Sequence, residues 1–291
     1  MAISYVFPNT SDILQRGGLE ERRALAEAAG CSFVEIPADM IKNASEVAAT
    51  GQDLCTFLTK KSITALYKPA QNPAGTIPYI LHTEPSLGRN DGFGLKSQAP
   101  LKWYDDRWVA DFIRMIIDIS EFLGPSPAKI EIHPGDRRNS FGDIVRGVQQ
   151  IQIAYEQGFG TIPEILLENR TGQFISTGEE IEKFWNYVVT QQPGMEKSFG
   201  IILDVQQLKT VTKNRFDASF SKIPVECLKE FHIHTRHRPP KLSDSIPWEF
   251  VFIKIASLLQ DVIINPEIHH NNQVKGAIQF CNEILAMFPS I

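Results

Sequence analysis

The chain has 291 residues, 43% of them hydrophobic and 22% charged, a globular composition too apolar for a disordered or fibrous chain and long enough for a substantial core. With 29 Lys and Arg against 34 Asp and Glu, the net charge is −5 and the isoelectric point lies near 5.8. No broad basic field of the kind that drives non-specific nucleic-acid binding is present, and a local basic patch stays open. Cys31, Cys55, Cys227 and Cys281 lie far apart with no CxxC spacing, which points to reduced thiols and a reducing compartment. The N-terminus, MAISYVFPNTSDIL, lacks a basic region followed by an apolar run, and no stretch of about 18 apolar residues occurs. These features predict a soluble, cytoplasmic chain without a membrane partner.

Short β-branched or aromatic runs alternate with longer amphipathic segments along the whole length, the signal for repeated βα units around a parallel sheet. Strands are predicted at Ile3–Phe7, Ser32–Ile36, Ile77–His82, Lys129–His133, Glu164–Glu168, Gly200–Val205, Glu230–His234 and Val262–Asn265. Helices are predicted at Leu19–Ala29, Ser45–Thr59, Asp105–Phe122, Phe141–Gln157, Glu179–Thr190, Trp248–Leu259 and Val274–Met287, where apolar residues recur at i, i+3, i+4. Eight strands are the number that closes a barrel, so the expected class is α/β, a (β/α)8 TIM barrel forming one domain over residues 1–291. Residues 63–76 are the ambiguous stretch, because Ser62–Tyr67 also has strand character; a strand there would add a hairpin to the third unit or displace the third strand. The turn residues Gly124, Pro125, Pro127, Gly158, Gly160, Pro193 and Gly194 all fall between units.

A strand inside a parallel barrel is buried on both faces, so an ionisable residue at its C-terminal end is costly and needs a reason. Nearly every unit has one: Glu35, His82, His133, Glu168, Asp204, His232 with His234, and Glu267. In a (β/α)8 barrel these ends converge on one face, where catalytic residues come from several strands. Two Glu, one Asp and one His from different strands, Glu168, Asp204, Glu267 and His232, make a mixed N/O site suited to one divalent ion, Mn²⁺, Mg²⁺, Co²⁺ or Zn²⁺. Any one of these residues alone serves as readily in a salt bridge or helix cap; four together in one core are hard to satisfy otherwise. Glu35, His82 and His133 stand as substrate-binding candidates, with a supporting hydrogen bond as the alternative role. The loop His234-Thr-Arg-His-Arg-Pro-Pro-Lys241 packs five potential cations into eight residues on the same face, suited to a phosphate or an array of sugar hydroxyls.

The order Leu-Leu-Glu168-Asn, Ile-Leu-Asp204-Val, Phe-His232-Ile-His and Pro-Glu267-Ile resembles the xylose-isomerase-like TIM-barrel superfamily of sugar isomerases, ketose 3-epimerases and the endonuclease IV family. On the endonuclease side, His133-Pro-Gly135 looks like that family's metal-binding HPG strand end, and Leu167-Glu-Asn-Arg-Thr-Gly-Gln173 looks like its LEN-x-x-GQ segment. That family's D-x-x-H is here Asp204-Val-Gln-Gln207, its D-x-H is at best Thr235-Arg-His237, and its first-strand histidine is missing from Ser4-Tyr-Val-Phe-Pro8. On the epimerase side, His232 followed six residues later by Arg238 and then by Ile246-Pro-Trp248 looks like the seventh-strand loop in which such an Arg contacts substrate. That resemblance implies Glu168 and Glu267 as an acid/base pair on opposite faces of a sugar, with Gln207 at the position of a usual histidine contributing to substrate contact. The expected function is a metal-dependent sugar or sugar-phosphate isomerase or epimerase with a small sugar as partner. The alternatives are an endonuclease-IV-like nuclease acting on abasic DNA and a barrel that binds a metal or ligand without turnover. The oligomeric state stays open, a homo-oligomer included.

Overall fold

A computed structural model describes residues 2–10, 18–38, 77–83, 86–90 and 95–288. The predicted helix Ser45–Thr59, the alternative strand Ser62–Tyr67 and Cys55 lie outside the described residues. Eight parallel strands close a barrel in the order β1 (Ile3–Phe7), β10 (Val262–Asn265), β9 (Leu228–His232), β8 (Phe199–Asp204), β7 (Glu164–Glu168), β6 (Lys129–Ile132), β3 (Tyr79–Thr83) and β2 (Phe33–Ala38). β1 closes the ring on both sides, pairing Ile3 with Val262 and Val6 with Phe33. All eight predicted strands are present, three of them with the predicted bounds. β9 begins two residues earlier than predicted and ends at His232, which leaves His234 beyond the strand.

The helices form where periodicity and capping agree. Asp105 accepts hydrogen bonds from the Arg107 and Trp108 amides at the start of Asp106–Leu123. Ser140 with Asp143, and Thr177 with Glu180, make reciprocal capping boxes for Phe141–Phe159 and Gly178–Gln191. Gly30 and Gly160 end their helices at φ 74° and 67°, in the left-handed region that glycine adopts without penalty. The apolar residues of the helices join one core cluster with the barrel strands, and Trp108 and Phe112 of Asp106–Leu123 meet the Trp103 ring edge-on.

Two departures from the predicted pattern lie near the C-terminal ends of strands. An antiparallel hairpin, β4 (Ser86–Asn90) with β5 (Leu95–Pro100), interrupts the connection after β3. β8 ends at Asp204, and the predicted strand residue Val205 instead opens the short helix Val205–Thr212, followed by a second, Phe216–Lys222. Of the cysteines, Cys31, Cys227 and Cys281 are buried free thiols. Among the described residues no helix is long and apolar enough to cross a membrane.

A candidate metal centre at the barrel mouth

Parallel strands with one polarity bring their C-terminal residues to the same rim, so the barrel assembles the predicted ionisable residues around one cavity. Glu168 ends β7, Asp204 ends β8 and His232 ends β9, all with no exposed surface. Glu267 follows β10 with φ 37°, its amide donating to Asn265 Oδ1 at 2.9 Å. Asp204 doubles as a helix cap: its Oδ1 accepts from the Gln207 amide at 2.9 Å, while Oδ2 has no hydrogen-bond partner among the described residues.

His232 is the hub. Its Nδ1 stands 3.6 Å from Glu168 Oε2 and 3.5 Å from Glu267 Oε2. Ligand atoms of Glu168, Asp204 and His232 all lie within 4.8 Å of one another. Glu267 groups instead with His234 and His237, because His234 Nε2 approaches Glu267 Oε2 to 2.7 Å. A third grouping, His82, His133 and Glu168, forms around Glu168 Oε2, with His133 Nε2 at 3.1 Å and His82 Nε2 at 3.3 Å.

The electrostatics follow from these contacts. Burial alone would raise the Glu168 carboxyl, but His133 and His232 beside it hold it well below the usual carboxylate range. Glu267 is depressed in the same way, against burial, by His234 and His232. Burial would lower the histidines; the carboxylates reverse this for His82 (Glu131, Glu35) and His232 (Glu168), and bring His234 up to about 10 through Glu267 and Asp204. For His133 burial prevails and its imidazole is lowered.

The donor set fits a divalent ion. Both oxygens of Glu168, Oδ2 of Asp204, both nitrogens of His232 and Oε2 of Glu267 are buried with no hydrogen-bond partner among the described residues, a concentration of unsatisfied polar atoms that a native core avoids. Separations of 3.5 and 3.6 Å around His232 Nδ1 exceed hydrogen-bond length. They match the spacing of about 3.4 Å between ligand atoms held tetrahedrally at ~2.1 Å from one ion. No thiolate takes part, so the site is a hard to borderline one.

The remaining predicted residues divide. Glu35, His82 and His133 line a cavity of about 240 Å³, with Arg170, His237 and His269 also on its wall, a volume below that of drug-sized pockets. Glu35 is tied down there: Oε2 accepts from the Asn9 amide at 3.1 Å and Asn265 Nδ2 at 3.0 Å, and Oε1 meets His82 Nδ1 at 2.8 Å. Gln207 does not line the cavity; its Oε1 accepts from the Thr171 amide at 3.3 Å. Arg238 is exposed, its backbone closing a turn with Thr235. The basic loop therefore sends histidines inward and arginines outward: His234 is buried and stacks on His237 (ring centroids 4.7 Å), which stacks on His269 (4.3 Å).

The two glycine-containing motifs interlock. Gln173 Oε1 accepts from the Gly135 amide at 2.7 Å and the Gly135 carbonyl accepts from the Phe174 amide, while Trp103 Nε1 donates to the His133 carbonyl at 2.9 Å. Sequence reasoning did not single out Glu131 and Glu230, both wholly buried inside the barrel, or Arg170 on the cavity wall. It set His234 at the end of the predicted strand but not among the metal ligands. Lys-Ile-Glu-Ile carried the signal for Glu131, since a mid-strand carboxylate is as anomalous as one at the end.

No protein-family model and no curated protein matches the chain. Solved structures do. D-psicose 3-epimerase from Clostridium cellulolyticum H10 superposes over 97% of this chain and 99% of its own with a TM-score of 0.56 at 13% identity. AP endonuclease, family 2, from Brucella melitensis gives 0.53 at 11% identity over 97% and 98%. A xylose isomerase-like TIM barrel protein from Mycobacterium smegmatis, solved in complex with magnesium, gives 0.55 at 10% identity over 98% and 97%. The chain has the (β/α)8 fold of the xylose-isomerase-like TIM barrels, a fold it shares with sugar epimerases and with AP endonucleases of family 2.

Proposed function

We propose that this chain is a divalent-metal-dependent isomerase or epimerase of a small sugar or sugar phosphate. The observation that carries the reading is convergence: Glu168 Oε2 and Glu267 Oε2, from units separated by two strands, flank one nitrogen of His232 at 3.6 and 3.5 Å. Glu168, Asp204, His232 and Glu267 would hold one Mn²⁺, Mg²⁺, Co²⁺ or Zn²⁺. Such an ion polarises a carbonyl or hydroxyl oxygen of a bound substrate and steadies charge developing there.

The chain's own groups supply the proton transfers. The histidines hold Glu168 and Glu267 ionised; one carboxylate would accept a proton from the carbon beside a carbonyl, and the other, once it has taken a proton from solvent, would return that proton to the same carbon. His82, His133 and Glu35 on the cavity wall orient hydroxyls; Gln207 and Arg238 lie off that wall and have no part in this reading. The cavity's modest volume supports a small substrate. The fold shared with D-psicose 3-epimerase is consistent with sugar chemistry.

A second reading has one specific support. His82 and His133 group with Glu168 as a further set of ligand atoms, and a site with more than one ion suits phosphodiester cleavage. The test is metal analysis together with incubation of the metal-loaded chain with a panel of ketoses, aldoses and their phosphates in D₂O. About one ion per chain and deuterium entering at a carbon beside the carbonyl are expected. No exchange on any sugar, with up to three ions and salt-sensitive cleavage of abasic DNA, overturns the proposal in favour of a nuclease. A chain that binds no ion leaves a ligand-binding barrel.

A further inference from the structure

The basic loop that follows β9 sends its arginines away from the metal centre, and one of them borders a second cavity. Lys209, Lys213 and Arg236, with Gln206, Thr235 and Ser245, line a recess of about 360 Å³ formed by the helix Val205–Thr212, the turn after it and that loop. The lining contains no carboxylate, in a chain with 34 acids against 29 bases. None of the three cations has an ion-pair partner among the described residues. Asp244, next to Ser245 in sequence, is engaged elsewhere: its Oδ2 accepts from Thr235 Oγ1 at 2.6 Å and from the Lys241 amide at 2.7 Å.

The recess is also braced. Lys209 Nζ donates to the Lys213 carbonyl at 3.1 Å and lies 5.6 Å from the centre of the Phe216 ring, which holds its ammonium group in place. The Arg236 amide donates to Gln206 Oε1 and so ties the loop to the helix. Lys213 and Arg236 both take left-handed backbone, at φ 53° and 51°, a conformation that non-glycine residues keep only where their surroundings impose it and that clusters at ligand sites. Three like charges around one recess repel each other until a counter-charge enters.

We infer that this recess binds a phosphate monoester. A phosphate dianion answers three cations with three acceptor oxygens, the guanidinium fork of Arg236 matching two of them and the lysines acting as point charges. A nucleic-acid backbone needs a track of cations for 6–10 or so phosphates, whereas here they surround a single recess. Gln206 lies two residues past Asp204, and Arg236 lies between His234 and His237, so chain geometry keeps both within about 7 Å of the mouth residues, Cα to Cα. The phosphate belongs either to a sugar phosphate seated at the metal centre or to a separate small molecule beside it. The first source rests on the isomerase reading; the recess itself does not.

The probe is inorganic phosphate, titrated calorimetrically into the metal-loaded full chain at low salt. Saturable binding is expected, weakened at least about 10-fold in each of Lys209→Met, Lys213→Ala and Arg236→Ala through loss of one charge-assisted contact, with the far-UV circular dichroism unchanged. Lys222→Ala removes an exposed charge outside the recess and should leave the affinity as it was. Turnover then separates the two sources. A substrate phosphate makes the three variants lose kcat/KM on the sugar phosphate and keep it on the unphosphorylated sugar; a separate phosphate ligand makes both sugars respond alike. Wild-type chain that binds no phosphate overturns the inference, and so does equal affinity in every variant, which places the anion at the metal centre. Loss of abasic-DNA binding in variants with unaltered phosphate affinity overturns it in favour of a nucleic-acid contact. If no sugar is turned over, the isomerase reading falls while the phosphate titration still answers for the recess.

Discussion

His234 Nε2 lies 2.7 Å from Glu267 Oε2, closer than His232 Nδ1 at 3.5 Å, so β9 and its extension bring two histidines to one carboxylate. Their surroundings differ. His232 Nδ1 also faces Glu168, whereas His234 Nε2 also faces Asp204 Oδ2, at 3.6 Å. His232→Ala is therefore expected to abolish stoichiometric zinc binding. His234→Ala is expected to weaken it by about 10- to 100-fold through loss of Glu267 orientation. Titration calorimetry with zinc on the two variants compares them; equal effects would place both histidines in the same role.

Glu168→Gln and Glu267→Gln each remove one carboxylate while preserving side-chain shape. If the two act as a proton-transfer pair, each substitution lowers turnover by at least about 10²- to 10⁴-fold with the far-UV circular dichroism unchanged. Deuterium exchange on the best substrate of the sugar panel gives the readout. Undiminished exchange in both variants is incompatible with the pair.

Metal removal should cost stability as well as activity. A ligand bound only by the folded chain at 100 times its dissociation constant contributes about 2.7 kcal/mol, which for a chain of this size shifts the melting temperature by roughly 4–5 °C. Scanning calorimetry with and without chelator measures the shift, and restoring zinc should reverse it.

Gly135 has φ 74°, and a Cβ there would press on the Leu101 carbonyl and come within 2.9 Å of Asn139 Nδ2. Gly135→Ala therefore combines a left-handed backbone with overpacking, and a loss of about 1–3 kcal/mol is expected. Since Gly135 also ties the His133 turn to Gln173, zinc affinity should fall with it. Urea unfolding and zinc titration on this one variant check both.

Burial pushes the Cys31 thiol up to about 12 and raises Cys227 and Cys281 further. In the unfolded chain these thiols ionise near pH 8.5, so above that pH the unfolded state releases protons that the folded state retains. Stability contributed by the buried thiols is complete below about pH 8.5 and declines as pH rises toward 12. Melting temperature against pH should fall over this window, less steeply in Cys31→Ala.

The barrel was legible because parallel strands buried on both faces read as short apolar runs with a polar residue at the end, as Ile-Leu-Leu-Glu168 and Ile-Ile-Leu-Asp204 do. Leu95–Pro100, Leu-Lys-Ser-Gln-Ala-Pro, contains no β-branched or aromatic residue, so its hairpin left no strand signal. The helix Val205–Thr212 has only eight residues and carries four β-branched ones, which muted its periodicity. His234 was placed at the end of its predicted strand and its approach to Glu267 was not legible, because the alternation of Glu230, His232 and His234 shows that three residues share a face, while depth along the barrel axis depends on strand register. Glu131 was hidden by attention to strand ends.

Arg236, His237 and Glu267 adopt φ values of 51°, 54° and 37°, left-handed backbone without glycine, at a cost of order 1–3 kcal/mol each. Two of the three residues lie on the cavity wall. Any laboratory selection for heat resistance alone would gain by installing glycine at Arg236 or His237, and would thereby free the loop that seats His237 between His234 and His269. Thermal hardening and retention of the imidazole stack pull in opposite directions at this rim, so libraries screened for durability should sacrifice binding there first.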